Sequence, residues 1–433
     1  MERYLQFIIF LTILFSIFGF MQWYVLKSYT RWLSDIVDEQ TYRRLWTAGM
    51  SILAAGNIIF LLRFPSTDLN WYQHPLFQSL VIYPGGIFFG AVTLAFLTIL
   101  MINSGASIKR IIRLVSSKLD FIRIKRSPFR AARSGSGTSF SSSAAAHAVD
   151  KAGMLSRRQF LRTSGTAMIA APLGLTIGAT AATAHDYQIN RLRLHYPDLP
   201  PGLDGFRIVQ LSDIHSGIYM TENQMRDIFH LANEQHPGLV AITGDFVDNS
   251  VSEIPALYRA IADLKADYGI YGCLGNHDHY ASASSVSSAL RQRGVNLLTN
   301  NNLTIPVNGE SLTLLGVDDI QSGTPNADRM GQALSNLPED GFRLLLSHRP
   351  DLFDDARKHD IDLTLAGHTH GGQIGINLMG IPLYPIHLFH DYAKGLYEID
   401  RHKLYVNVGI GMVGIPVRLV RPELTVIELT NTA

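Results

Sequence analysis

Five short apolar runs in the second half of the chain each end on the same small set of polar residues, and no other feature restricts the fold so severely. Phe206–Leu211 (FRIVQL) runs into Ser212-Asp213-Ile214-His215, Leu239–Thr243 (LVAIT) into Gly244-Asp245, and Gly269–Leu274 (GIYGCL) into Gly275-Asn276-His277-Asp278. Phe342–Ser347 (FRLLLS) precedes His348, and Ile361–Ala366 (IDLTLA) precedes Gly367-His368-Thr369-His370. Runs this short and apolar read as buried strands. In open α/β sheets ligands bind outside the carboxyl ends of strands, so residues scattered in sequence can converge on one crevice. A single Asp after one strand would mean little, because Asp is common in turns and caps. Five such ends in series, all Asp, Asn or His, point to a metal or a phosphate. His368 and His370 stand among Gly367, Gly371, Gly372 and Gly375, where bare backbone admits a close neighbour.

The intervening chain reads as helices and further strands. Thr221 to His236 has a capping residue at Thr221 and apolar Met225, Ile228, Phe229 and Ala232 on one face. LTIPVNGESLTLLGV reads as a hairpin around Asn308-Gly309, and KLYVNVG and LTVIEL supply two more strands. The single cysteine, Cys273, excludes an intrachain disulfide and a thiolate zinc cluster, and its apolar setting makes it a buried small hydrophobe.

The ordered set D-x-H, G-D, G-N-H-D, H and G-H-x-H resembles the calcineurin-like metallophosphoesterase superfamily, across essentially all of Phe206 to Leu429. The wording LSDIHSG, GNHDHY and GHTHGGQ is similar to bacterial membrane-associated or twin-arginine-exported phosphodiesterases. The N-terminal region also resembles that of transmembrane proteins with a metallophosphoesterase domain. The resemblance implies an α/β fold, a four-layer αββα sandwich, here preceded by a bundle of about three transmembrane helices. It also implies two divalent metal ions, with Mn, Fe and Zn all suited to an N/O ligand set. Asp213, His215, Asp245 and His370 would hold one ion, and Asp245, Asn276, His348 and His368 the other, Asp245 bridging. Cations roughly 3.5–4 Å apart would share a hydroxide that attacks phosphorus in line. His277 would protonate the leaving group or pair with a phosphate oxygen, and Asp278 would orient its ring. His279 adjoins the motif without an assigned role. His387, His390 and Asp391 lie outside it and read as loop residues.

The N-terminal third reads as membrane. Tyr4–Leu26, Leu45–Leu62 and Ser79–Ile102 carry no charged residue, so three spans are expected; the second, shortest and containing Asn57, also fits a buried helix. Lys27, Arg31, Arg43 and Arg44 follow the first run, only Arg63 the second, and Lys109, Arg110, Arg113, Lys118, Arg123, Lys125, Arg126, Arg130 and Arg133 the third. By the positive-inside rule the N-terminus faces outward and the basic segment faces the cytoplasm, resting on anionic lipid. With a net charge of +1, no global field argues for nucleic acid. The expected organisation is a transmembrane region at 1–105, a basic segment and Ser/Gly/Ala-rich linker at 106–154, a sorting signal at 155–184 and the phosphoesterase domain at 185–433. LSRRQFLRTSG, an uncharged run and the A-x-A site Ala182–Ala184 resemble a twin-arginine export signal, although a fourth span with arginines at its cytoplasmic end also fits. Both readings make the export machinery or the membrane a partner and place the domain on the extracytoplasmic side of the cytoplasmic membrane.

The functional expectation is a membrane-associated, metal-dependent phosphodiesterase. Ile376–Phe389 (INLMGIPLYPIHLF) is apolar for a loop at a site mouth, which suits a phospholipid or lipid-linked substrate, and equally a loop packed on its own domain. Two other classes compete. A non-catalytic scaffold is opposed by the complete ligand set and by His277, while a membrane sensor with phosphoesterase output stays open.

Overall fold

The computed structural model describes residues 2–34, 37–62, 75–124, 171–178 and 187–432, apart from 339, 374–375, 379–380, 384, 389 and 415–417. They form two compact units, Met1–Asn57 with Phe88–Leu175, and Ile58–Ile87 with Thr176–Ala433.

Two described helices, Glu39–Leu61 and Gln78–Ser104, are long and apolar enough to cross a membrane. They correspond to the second and third expected spans, and the first expected run lies inside helix Glu2–Ser34. Within the first unit, Asn57 exchanges amide hydrogen bonds with Gln22, at 2.7 and 3.0 Å. That pairing removes most of the cost of an amide in an apolar run. A Cβ on Gly56 would lie 2.4 Å from the Phe88 ring, so glycine is what lets that ring approach. Helix Tyr83–Ile124 continues well past the apolar stretch into the basic segment. The linker and the paired Arg157 and Arg158 lie outside the described residues.

The second unit contains two six-stranded sheets. The first comprises β1 (Gln188–His195), β2 (Arg207–Leu211), β3 (Leu239–Thr243), β4 (Ile270–Cys273), β5 (Val295–Leu297) and β14 (Glu423–Thr430), in the order β1-β14-β2-β3-β4-β5. The second comprises β6 (Asn301–Val307), β7 (Glu310–Gly316), β8 (Phe342–Leu346), β9 (Leu363–Ala366), β12 (Gly395–Ile399) and β13 (His402–Val406), in the order β12-β13-β9-β8-β7-β6, while β10 (Ile376–Leu378) and β11 (Ile381–Leu383) pair with each other. All five expected apolar runs are strands. β2, β3 and β4 are parallel neighbours in one sheet, and β8 and β9 in the other, so their carboxyl ends share a direction within each sheet.

The sheets face one another through a buried core that includes Ile208, Leu239, Ala241 and Cys273 from the first and Leu314, Leu344, Leu346 and Leu365 from the second. On the outer face of the first sheet, Met225, Ile228, Phe229 and Ala232 of helix Glu222–Asn233 pack over Val209, Val240 and Ile242. Outside the second sheet, Met330 and Ala333 cover Leu315 and Leu345. Helices, sheet, sheet and helices therefore succeed one another. The capping expectation holds: Thr221 and Gln224 form a reciprocal capping box. The hairpin turns at Asn308 (φ 50°) and Gly309 (φ 89°), both left-handed as a two-residue turn requires.

Candidate metal centre

Three of the five ligand-bearing loops leave their strands by a sharp turn. Asp213, His215, Asp245, His368 and His370 all adopt positive φ, between 48° and 72°. That region costs a non-glycine residue about 1 kcal/mol or more, so the surrounding structure must impose it. Glycines in the motifs clear space for the carboxylates. A Cβ on Gly275 would lie 2.2 Å from Asp245 Oδ1, and one on Gly367 would lie 2.3 Å from Asp213 Oδ2.

Two groups of four side chains result. In the first, His215 Nε2 is 3.1 Å from His370 Nε2 and 3.5 Å from Asp245 Oδ2, and His370 Nε2 is 3.4 Å from Asp213 Oδ1. In the second, His348 Nε2 is 3.2 Å from Asp245 Oδ2, 3.1 Å from Asn276 Oδ1 and 3.2 Å from His368 Nδ1. Asp245 Oδ2 belongs to both. A cation bound at about 2.1 Å holds its ligand atoms about 3.0–3.4 Å apart, so both groups have the spacing and N/O chemistry of a divalent metal site. Asp213, His215 and His370 can hold one ion together, and Asp213, Asp245 and His348 also lie within common reach. All six residues with a net charge or an imidazole in these contacts, except the half-buried His368, are buried.

The remaining atoms of these residues are tied to backbone. Asp245 Oδ1 accepts from the His277 amide at 2.9 Å, which turns Oδ2 to the centre. His348 Nδ1 donates to the Thr243 carbonyl at 2.8 Å, leaving Nε2 for a ligand, and both Asp213 oxygens accept from the His368 amide at 3.1 Å. Burial disfavours charge on His215, yet Asp248, Asp245 and Asp213 outweigh it and hold the ring at about 9. Burial is likewise overturned by Asp245 at His348, which is raised to about 10. Burial and the neighbouring His348 push His368 down to about 2, and burial with His215 holds His370 well below its usual value. Buried carboxylates thus draw positive charge into the centre.

One sequence-based role is corrected. Asp278 is fully buried, and its carboxylate accepts from the amides of Gly275 (2.9 Å), Phe246 (2.9 Å) and Val247 (3.2 Å). It pins the loops that carry Asn276 and Asp245 instead of orienting His277. The group facing the His277 ring is Asp248: its carbonyl accepts from Nδ1, and its carboxylate lies 3.5 Å from Nδ1 and 3.3 Å from His215 Nδ1. The sequence motifs pass over Asp248, which lies three residues beyond Asp245. His277 itself is lowered by burial and by His215. His279 donates to Asp318 at 2.7 Å, which raises its pKa. The His390 ring stands 5.7 Å from that of His368, edge to face, while His387 and Asp391 are exposed.

Residues 206–372 match the family model described as calcineurin-like phosphoesterase. The chain is 32% identical over 286 residues to the uncharacterized metallophosphoesterase YkuE of Bacillus subtilis (strain 168), an alignment covering 64% of this chain and 99% of that protein. It is 29% identical over 281 residues to phosphodiesterase YaeI of Escherichia coli (strain K12), covering 64% and 100%. A transmembrane protein with metallophosphoesterase domain from Danio rerio is 33% identical over 244 residues, covering 53% of this chain and 54% of that protein.

Proposed function

Because the chain belongs to the calcineurin-like metallophosphoesterase family and is a metal-dependent phosphoester hydrolase, we propose that it cleaves phosphodiesters at the outer face of the cytoplasmic membrane. The observation that carries the reading is Asp245 Oδ2, shared by two complete groups of nitrogen and oxygen ligands.

Divalent ions, if held by those groups, would supply Lewis acidity for phosphoester hydrolysis. Asp213, His215 and His370 complete the first group around Asp245, and Asn276, His348 and His368 the second. Asp278 fixes the two loops that bring Asp245 and Asn276 together. His277 keeps its Nδ1 proton on the Asp248 carbonyl, so the ring must take up a second proton, on Nε2, before it can deliver one to the leaving oxygen or hold a phosphoryl oxygen.

The membrane side of the reading has its own support. Gln78 Nε2 donates to the Ile218 carbonyl at 3.0 Å, and buried Ile82 packs with Tyr219 and Met412. Ile218 is only three residues from His215, so the start of the third apolar helix touches a loop that carries a ligand. The flanking charges put that end of the helix outside, which favours an extracytoplasmic catalytic unit on a multi-pass anchor. Ile376–Leu378 and Ile381–Leu383 form a short antiparallel hairpin, the apolar stretch after His370 that favours a lipid-linked substrate.

Full-length protein in detergent, loaded with Mn²⁺, tests the reading on a chromogenic diester and monoester beside Asp245→Ala and His277→Ala. Metal-dependent turnover, faster on the diester, abolished in Asp245→Ala and only lowered in His277→Ala because the chromogenic leaving group needs little proton transfer, is expected. Two bound ions without turnover would favour the scaffold reading. Replacing Leu378 and Leu388 with Ser should slow a vesicle-borne phosphodiester and spare a soluble one; equal loss of both refutes the lipid preference.

A further inference from the structure

The rim of the second ligand group carries a cation with no assigned role. Arg349 follows His348 directly, and its Nε donates to Asp319 Oδ2 at 2.7 Å. Asp319 is fully enclosed, with a side-chain exposure of 0%, whereas the Arg349 side chain keeps 18%. The carboxylate is itself fixed, because its Oδ1 accepts from the Gln321 amide at 3.0 Å. Braced in this way, the guanidinium reaches the centre: Nη1 lies 2.9 Å from His368 Nε2. Nη2 makes no hydrogen bond among the described residues. An arginine whose only task was to neutralise Asp319 would not need to stand at the edge of a metal site with donors to spare.

We propose that Arg349 is a substrate-contacting residue, whose guanidinium binds a non-bridging oxygen of the phosphoryl group seated across the second ligand group. A planar fork held by a buried carboxylate is pre-organised for an oxyanion and loses little freedom on binding it. Position decides the role as well: the spare donors lie beside His368, on the less enclosed side of the centre, where substrate can arrive. A phosphomonoester presents more negative charge than a diester, so Arg349 contributes more to monoester binding. It therefore sets how far the site discriminates between them. The assignment rests on the phosphoesterase reading for its substrate, and only on geometry for the phosphate contact.

The test uses the full-length, Mn²⁺-loaded protein and Arg349→Met, with Arg349→Lys as the conservative variant. Inorganic phosphate is titrated by calorimetry, and KM and kcat are measured on a chromogenic diester and monoester. A lost charge-assisted hydrogen bond predicts phosphate affinity and 1/KM down by about 10- to 100-fold in the Met variant. The monoester should suffer more than the diester, kcat should move less than KM, and Lys should restore part of the loss. Metal content should stay at the wild-type value. Unchanged phosphate affinity, or a loss explained by a missing metal ion, overturns the proposal. If the wild-type protein turned over neither ester, the hydrolase reading would fail, while the phosphate titration would still decide for or against Arg349.

Discussion

The two ligand groups share one oxygen but are built differently. The first joins Asp213 and Asp245 to two imidazoles, whereas the second has Asp245 alone and the neutral Asn276 in place of a second carboxylate. The first is also the more enclosed, since Asp213, His215 and His370 are at most 5% exposed. His368 of the second is half-buried and has Arg349 and His390 beside it. Charge and burial go together: the group with two carboxylates is the more enclosed, and the group with one is the more open. The expectation is that the first group holds an ion more tightly and that the second exchanges it more readily.

Asp245→Ala abolishes the comparison by removing what both halves share, and has the largest effect. Bound metal should fall from two ions toward none, and turnover by about 10³-fold or more. Elemental analysis beside kinetics checks this. If one ion stays firmly bound with substantial activity, the halves are independent and the bridging role is wrong.

His277→Ala comes next, and it leaves both halves intact. Its loss should lower kcat by about 10²- to 10⁴-fold for a poor leaving group and much less for an activated nitrophenol, which departs without a proton. Equal losses on both leaving groups would show that the ring holds phosphate and does not deliver a proton. Asp248→Asn acts through His215 and His277 together, because its carboxylate lies 3.3 Å from one ring and 3.5 Å from the other. An outer partner of this kind is worth about 10- to 100-fold in metal affinity or activity. The loss should fall on the first ion, since no ligand of the second touches Asp248 among the described contacts; loss of the second ion first would contradict the division.

The same division explains what could be read from the sequence. Candidate ligands that leave a strand end within a few residues appear as short motifs, and the structure brings together all seven residues those motifs supplied, Asp213, His215, Asp245, Asn276, His348, His368 and His370. Residues acting behind them obey no such spacing. Asp278 looks like a partner for its neighbour His277, yet the helical turn at Asn276–Ala281 carries its carboxylate back to the amides of Gly275 and Phe246. Asp319 and Arg349 meet only because β7 and β8 are parallel neighbours, a pairing that no local pattern announces. Among the strands, β1 escaped notice because Gln188–His195 (QINRLRLH) is mostly polar, and only its pairing along β14 makes it a strand. Asn57, the residue that weakened the second apolar run as a span, is satisfied by Gln22 from another helix.

The smallest effect separates the halves by pH. Both His215 and His348 are raised from 6.5, to about 9 and about 10, because buried carboxylates outweigh the burial that would otherwise discharge them. A raised value in the folded state means that the charged rings stabilise the metal-free protein fully below about pH 6.5, and that this contribution fades as pH climbs through 9 and then 10. Metal must displace those protons, so each site should release about one proton on filling near neutrality and gain about tenfold in affinity per pH unit up to its ring's value. His368 and His370 are held neutral and add no such cost. Because His348 keeps its proton to higher pH, acidification should empty the second group before the first. Calorimetric Mn²⁺ titration of metal-stripped protein between about pH 6 and 8, in buffers of different ionisation enthalpy, counts the protons for each site. Affinities that do not change with pH, or a first group that empties before the second, would mean that burial and not carboxylate charge governs these rings.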